Sequence, residues 1–326
     1  MAVRAGELPP FPDGWYCVAS SEEVPAGQLL SRPFCGEEVV AFRGADGVVG
    51  VVDAYCPHLG AHMGVGGTVE GNTLRCPFHG FRFDATGRCV GTAYGTKPPP
   101  TAVVACRQVV ERNGLILAWH GPAAPTFEVP QIDDTNWTPT AFRRMTLESH
   151  PQETTENSVD LGHLGAVHGY RDVEMRGETR IDGPYLGLSY TMTRANPFLF
   201  GMGAITTDFD VHVHGLGYSL VDIQPRNPWL HMRLWVLPSP RDGRTIDLRI
   251  GVSVERRVGL PYDMAERVIR SFSLRAVAHD VQQDFDIWRN KRWVARPAIA
   301  VGDGPLPVYR KWCRQFYPTV DEAVAS

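Results

Sequence analysis

Read from its start, the chain alternates apolar and polar positions with a period near two. WYCVAS, EEVVAFRGADGVVGVVDAY, TLRCPFHGFRFDATGRCV and LILAWHG are rich in β-branched and aromatic residues and are bounded by Gly, Asp and Pro. They predict short strands. Asp46-Gly47 between apolar runs predicts a hairpin, FDATGRC another turn, and KPPPTA an extended connector. Proline and polar residues dominate from Pro122 to Pro139. That change predicts a boundary near residue 120, dividing the chain into domains 1–120 and 121–326. Beyond it, NSVDLGHLGAVHGY has helical spacing. GLSYTMTR, ITTDFDVHVHG, GYSLVDIQP, WLHMRLWVLPSP and TIDLRIGVSVER then predict strands. Met264, Val268, Phe272, Val277, Val281 and Phe285 recur mostly every four residues and predict an amphipathic helix from about Pro261 to Trp288. The fold class is therefore α+β, an all-β domain followed by an antiparallel sheet with helices.

Composition narrows this only a little. The 326 residues suffice for two domains, and 43% hydrophobic with 21% charged is ordinary for a globular protein. A net charge of −4 predicts no nucleic-acid or anionic-membrane partner. No apolar run is long enough for a transmembrane anchor, and MAVRAGELPPFPDGW has no signal-peptide core, so a cytoplasmic protein is expected. Seven scattered cysteines make no disulfide framework. Cys17, Cys35, Cys89, Cys106 and Cys313 read as free or buried thiols.

The other two cysteines carry chemistry. AYCPHLGAHMG and RCPFHGFRFD present Cys56-x-His58 and then Cys76-x-x-His79. Two Cys and two His could hold zinc. The paired order, flanked by proline, glycine and aromatic residues, points instead to a Rieske-type [2Fe–2S] cluster, in which two thiolates hold one iron and two imidazoles the other. Gly60, Gly64 and Gly80 let the backbone approach the sulfides. His62, nearby, reads as an exposed loop histidine.

A second constellation lies in NSVDLGHLGAVHGY, with Asn157, Asp160, His163 and His168. On a helix Asp160 and His163 share a face, and a helix that loosens near Gly165 lets His163 and His168 converge. Two histidines and a carboxylate suit non-haem Fe(II) with open positions for dioxygen. Asp160 has the spacing of a ligand. So do Asp280 and Asp284, one turn apart on the later helix, and spacing alone does not decide. His212 and His214 share a strand face, but without a carboxylate in view there they are the weaker pair. A pure electron carrier would leave residues after 120 unexplained, and a zinc-stabilised binding module would be colourless where an Fe–S protein is brown-red.

With both motifs in this order, the chain resembles the oxygenase component of Rieske non-haem iron oxygenases over essentially its full length. FPDGWYCVA, DAYCPHLGAHMGVGG, CPFHGFRFDATGRC and DFDIWRNKRW with DGPLPVYRKWCRQFYP are similar to the 3-ketosteroid 9α-hydroxylase and cholesterol 7-desaturase branch. Phe81 and Phe83 stand where relatives usually carry tryptophan. The resemblance implies a helix-grip-like catalytic domain and selects Asp284, four residues before the Trp288 of the Ile-Trp pair, as third iron ligand with His163 and His168. It makes Asp160 a bridge between a cluster histidine of a neighbouring subunit and His163, with Asn157 in the same motif. It implies a homotrimer, a ferredoxin and/or flavin reductase drawing on NAD(P)H, and hydroxylation or desaturation of a hydrophobic polycyclic, steroid-like substrate with dioxygen. Aromatic, alkaloid or other secondary-metabolite substrates are the alternative. NPFLFGMGAITTDF and PWLHMRLWVLP are candidate pocket walls.

Overall fold

The computed structural model describes residues 8–122, 124–195, 203–226, 231–256 and 262–317, without the side chains of 262–269. Two compact units are present: Asp13–Gln131 with Ser239–Gly243, and Ile132–Pro238 with Arg244–Ser326 and Met1–Pro12. The expected start of the long helix at Pro261, the side chains of Met264 and Val268, and the pocket stretches 196–202 and 228–230 lie outside the described residues.

The first unit is built of strands β1 (Gly14–Ser20), β2 (Leu29–Phe34), β3 (Glu37–Arg43), β4 (Val49–Asp53), β5 (Thr68–Glu70), β6 (Thr73–Arg75), β7 (Arg82–Phe83), β8 (Cys89–Gly91), β9 (Val109–Arg112) and β10 (Leu115–His120). Among the described residues they form antiparallel sheets ordered β1-β10-β9, β2-β3-β4 and β5-β6-β7-β8. The predicted Asp46-Gly47 turn closes β3 onto β4: Gly47 has φ +85°, and the Gly44 N–H donates to the Val48 carbonyl at 3.0 Å. Phe42, Val52, Met63, Leu74 and Phe83 are fully buried in one core cluster with Cys56 and Cys76. This unit runs past the expected residue 120. Hydrogen bonds hold the later chain to it: Trp15 Nε1–H donates to the Phe127 carbonyl at 2.8 Å and Asn113 Nδ2–H to the Pro130 carbonyl at 2.9 Å. The 239–243 segment was not foreseen. There the Pro240 carbonyl accepts from the Cys35 N–H at 2.8 Å.

The second unit contains β11 (Ala141–Glu148), α1 (Pro151–Glu156), α2 (Gly162–Ala166), β12 (Arg171–Met175), β13 (Arg180–Asp182), β14 (Tyr185–Ala195), β15 (Ala204–His214), β16 (Tyr218–Pro225), most of β17 (Met232–Pro240), β18 (Thr245–Val254), α3 (Tyr262–Gln283), α4 (Phe285–Asn290) and α5 (Leu306–Cys313). Its strands form one antiparallel sheet ordered β11-β18-β17-β16-β15-β14-β12, with β13 also on β14. Helix α3 packs on β18 and β11. Leu274, Val277, Val281 and Phe285 join Leu147, Ile246, Leu248 and Ile250 in an apolar cluster, each buried aliphatic side chain contributing about 1.5–3 kcal/mol. Two expectations change. Phe272 is 53% exposed and lies off this stripe. The single helix to Trp288 is interrupted at Asp284, whose N–H bonds to the Val281 carbonyl at 3.2 Å, a tightened three-residue turn.

Candidate metal centres

In the first unit Cys56 follows β4 and Cys76 follows β6. Their loops close in the same way. The Cys56 N–H donates to Ala61 O (2.9 Å) and Cys56 O accepts from the Gly60 N–H (2.9 Å). The Cys76 N–H donates to Phe81 O (2.8 Å) and Cys76 O accepts from the Gly80 N–H (3.2 Å). Gly60 (φ +71°) and Gly80 (φ +62°) occupy the left-handed conformation that such a closure requires. Each loop thereby delivers one buried thiol and one half-buried imidazole. The rings of His58 and His79 are 4.7 Å apart, and His58 stacks on Phe81 at 4.4 Å and 13°. The Cys56 thiol is pushed up to about 11, first by burial, with the neighbouring Cys76 thiol adding to it against the His58 N–H. Thiols of this kind lose their protons to a bound cation. Two thiols side by side and two imidazoles side by side fit a [2Fe–2S] group with unlike irons.

His62 is not the loose loop residue expected. Gly64 N–H donates to its Nδ1 at 3.1 Å, so the proton lies on Nε2, which donates to Glu38 at 3.1 Å. Both nitrogens are spoken for.

In the second unit, ligand atoms of His163, His168 and Asp284 all lie within 4.8 Å of one another. This is the one grouping of three or more such side chains among the described residues. His168 and Asp284 side chains are only 6% and 7% exposed, with His168 Nε2 3.5 Å from Asp284 Oδ2. Burial acts against the charged form of His168, but its bonds to Asp284 and Gln283 outweigh that and raise its pKa. The segment from Asn157 to His168 is not one helix: Asn157 ends α1, and α2 begins only at Gly162. Asp160 stands one residue before Leu161, the cap position of α2, and accepts from the His163 N–H at 3.2 Å. Burial would raise the Asp160 pKa, but the bonds from His163 and Gly162 bring it below the usual carboxylate value. His163 Nδ1–H donates to the Asp160 main-chain carbonyl at 2.6 Å, and His168 Nδ1–H donates to Gln283 Oε1 at 2.8 Å. In both rings Nε2 is left as the lone-pair nitrogen, which suits a metal.

Asp280 is not part of this grouping. Its Oδ2 accepts from the Tyr170 hydroxyl at 3.1 Å and from Arg194 at 3.3 Å. His212 and His214 are also outside it. A carboxylate does lie near His212, contrary to expectation: Asp222 Oδ2 is 3.8 Å from Nε2, while the Tyr185 hydroxyl bonds Nδ1 at 2.9 Å. His214 leans on Tyr185 and Tyr218, and burial lowers its pKa to about 4. The sequence reading missed Glu38, Gln283, Tyr170 and Arg194. Only Gln283, adjacent to a candidate ligand, carried a local signal.

Comparison with known proteins places these units. Residues 14–105 match the Rieske [2Fe-2S] domain, and residues 118–317 match the 3-Ketosteroid 9alpha-hydroxylase C-terminal domain. Cholesterol 7-desaturase of Bombyx mori is 32% identical over 95% of this chain and 70% of its own length. A probable 3-ketosteroid-9-alpha-monooxygenase, oxygenase component, of Rhodococcus rhodochrous is 29% identical over 95% of this chain and 80% of its own. In fold, the crystal structure of dicamba monooxygenase bound to dicamba superposes with a TM-score of 0.76 at 22% identity, over 96% of this chain and 98% of that one. Among the described residues no helix is long and apolar enough to cross a membrane.

Proposed function

The chain belongs to the Rieske oxygenases with a 3-ketosteroid 9alpha-hydroxylase C-terminal domain, and from that premise we propose that it is the oxygenase component of a cytoplasmic monooxygenase or desaturase acting on a hydrophobic, steroid-like substrate. Electrons come from NAD(P)H through a separate reductase, with or without a ferredoxin. The Rieske domain is then the unit Asp13–Gln131 with Ser239–Gly243, and the catalytic domain is the other unit. Cys56 and Cys76 take one iron of the cluster, His58 and His79 the other. His163, His168 and Asp284 hold mononuclear Fe(II). Bound there, the cluster supplies single electrons and Fe(II) activates dioxygen.

The observation that carries this reading is the convergence of His163, His168 and Asp284 within 4.8 Å. The Nδ1 acceptors orient both rings, and burial of His168 and Asp284 keeps water from competing. Asp160 fixes His163 and serves as the bridge to a cluster histidine of a second subunit, with Asn157 shaping the turn before it; the bridge needs a second copy of the chain, and the assembly proposed is a homotrimer. A hydrophobic substrate is supported by the relatives, a cholesterol 7-desaturase and a 3-ketosteroid-9-alpha-monooxygenase, and β14 and β15 contribute buried aromatic packing. Tyr190 and Met192 alternate with outward residues on the same side as Arg194, and their strand partners are Phe209 and Thr207. Tyr190 and Phe209 stack at 5.2 Å.

The deciding experiment is a turnover screen with a matched reductase over steroids, aromatic acids and alkaloids, on protein whose mass is set by light scattering. Turnover of steroids by a brown-red trimer is expected. A colourless protein sinks the cluster assignment, a fully active monomer sinks the bridge, and turnover of aromatic acids or alkaloids alone sinks the substrate class.

A further inference from the structure

The two histidines of the candidate iron site have their Nδ1 protons held by different kinds of acceptor. For His163 it is a main-chain carbonyl, Asp160 O at 2.6 Å. For His168 it is a side-chain amide, Gln283 Oε1 at 2.8 Å. An amide oxygen only accepts, so His168 carries its proton on Nδ1 and turns Nε2 toward Asp284 Oδ2, 3.5 Å away. Gln283 is the last residue of α3, and Asp284 is the interruption that follows. One turn earlier on α3, Asp280 accepts from Tyr170 and Arg194. Tyr170 is two residues past His168, and the two rings lie 6.1 Å apart. The end of α3 therefore grips the His168 segment at three places: through Asp280, through Gln283 and at Asp284 itself.

We propose that Gln283 is a positioning residue for the mononuclear iron: its amide oxygen fixes the tautomer and ring orientation of His168, and the Tyr170–Asp280–Arg194 clamp keeps the helix end that carries it in register. The proposal rests on the assignment of His163, His168 and Asp284 as iron ligands. Gln283 touches neither iron nor substrate and acts through His168 alone. Acceptors of this kind are worth about 10–100-fold in metal affinity.

The test measures Fe(II) binding to the cluster-loaded, full-length protein by chelator competition, with the visible absorption of the cluster as control for folding. Gln283→Leu keeps the size of the side chain and removes the acceptor; Gln283→Glu keeps an acceptor in place. Gln283→Leu should bind Fe(II) about 10–100-fold more weakly, and Gln283→Glu should restore most of that affinity. The electron paramagnetic resonance spectrum of the nitric oxide adduct should change shape in the leucine variant and return toward wild type in the glutamate variant. Wild-type affinity in Gln283→Leu overturns the proposal. Equal losses in the two variants also overturn it, because a purely steric role would not distinguish them. A wild-type protein that binds no mononuclear Fe(II), or binds it unchanged after His163→Ala, overturns the ligand assignment itself and this proposal with it.

Discussion

Gly60 and Gly80 hold equivalent places in the two cluster loops, yet substitution by alanine should affect them unequally. Both have positive φ, +71° and +62°, so an alanine at either costs about 1–2 kcal/mol in backbone strain. Around Gly60 nothing lies within 4 Å of where a Cβ would stand, whereas at Gly80 that Cβ would meet the Ala93 Cβ at 2.8 Å. The Arg75 guanidinium, at 3.4 Å, can swing aside; the Ala93 backbone must shift. Overpacking of this kind adds about 1–3 kcal/mol. Gly80→Ala should therefore be the more damaging by about that amount. The assay is loss of the cluster's visible absorption against urea at a fixed incubation time. The expected order of midpoints is wild type, then Gly60→Ala, then Gly80→Ala. Adding Ala93→Gly to Gly80→Ala should return the midpoint close to that of Gly60→Ala, a coupling that a double-mutant cycle isolates. Equal midpoints for the two single variants, or no recovery in the double variant, would refute the steric argument.

Three further outcomes are expected. Asp284→Ala should lose the mononuclear iron and keep the cluster spectrum, while Asp280→Ala, which removes the clamp to Tyr170 and Arg194 but no ligand, should still bind iron, only more weakly; iron counting with chelator competition checks both. Asp160→Asn should retain cluster and mononuclear iron and lose turnover, since an amide is a poorer acceptor for the His163 N–H; single-turnover electron transfer beside iron content decides, and lost iron would make Asp160 a ligand instead. His150, which accepts from the Gln152 N–H at the head of α1, is lowered to about 4 by burial, against its Pro9 carbonyl bond. The unfolded imidazole takes its proton near 6.5, so the unfolded chain binds more protons between the two values and stability falls as pH drops from about 6.5 to about 4. His150→Asn should flatten part of that decline in urea titrations at fixed pH.

The alternating runs of the sheets were legible because half-buried antiparallel strands write their two faces directly into the order of residues. Strand β11 was not, since Arg143 interrupts its apolar face and only Leu147 is buried. Helix α1, six residues long with a proline at its start, is too short to show a period. At the candidate iron site the His163 and His168 pair stood out by spacing, but Asp280 and Asp284 could not be told apart by spacing and were separated only by the family resemblance. What separates them in the structure is Arg194, brought to Asp280 by strand β14, a long-range contact that spacing does not encode. Glu38 made the same difference for His62.

The matched closure of the two cysteine loops has a consequence for assembly. Each loop offers one sulfur and one nitrogen, whereas each iron of an unlike pair asks for two sulfurs or two nitrogens. Neither loop can satisfy either metal unaided. The short hairpin of β5 and β6, turning at Gly71 with φ +57°, leads from one loop to the other, so each iron draws on both loops at once. Filling should be all-or-none, with empty and complete forms and no stable one-iron species between them.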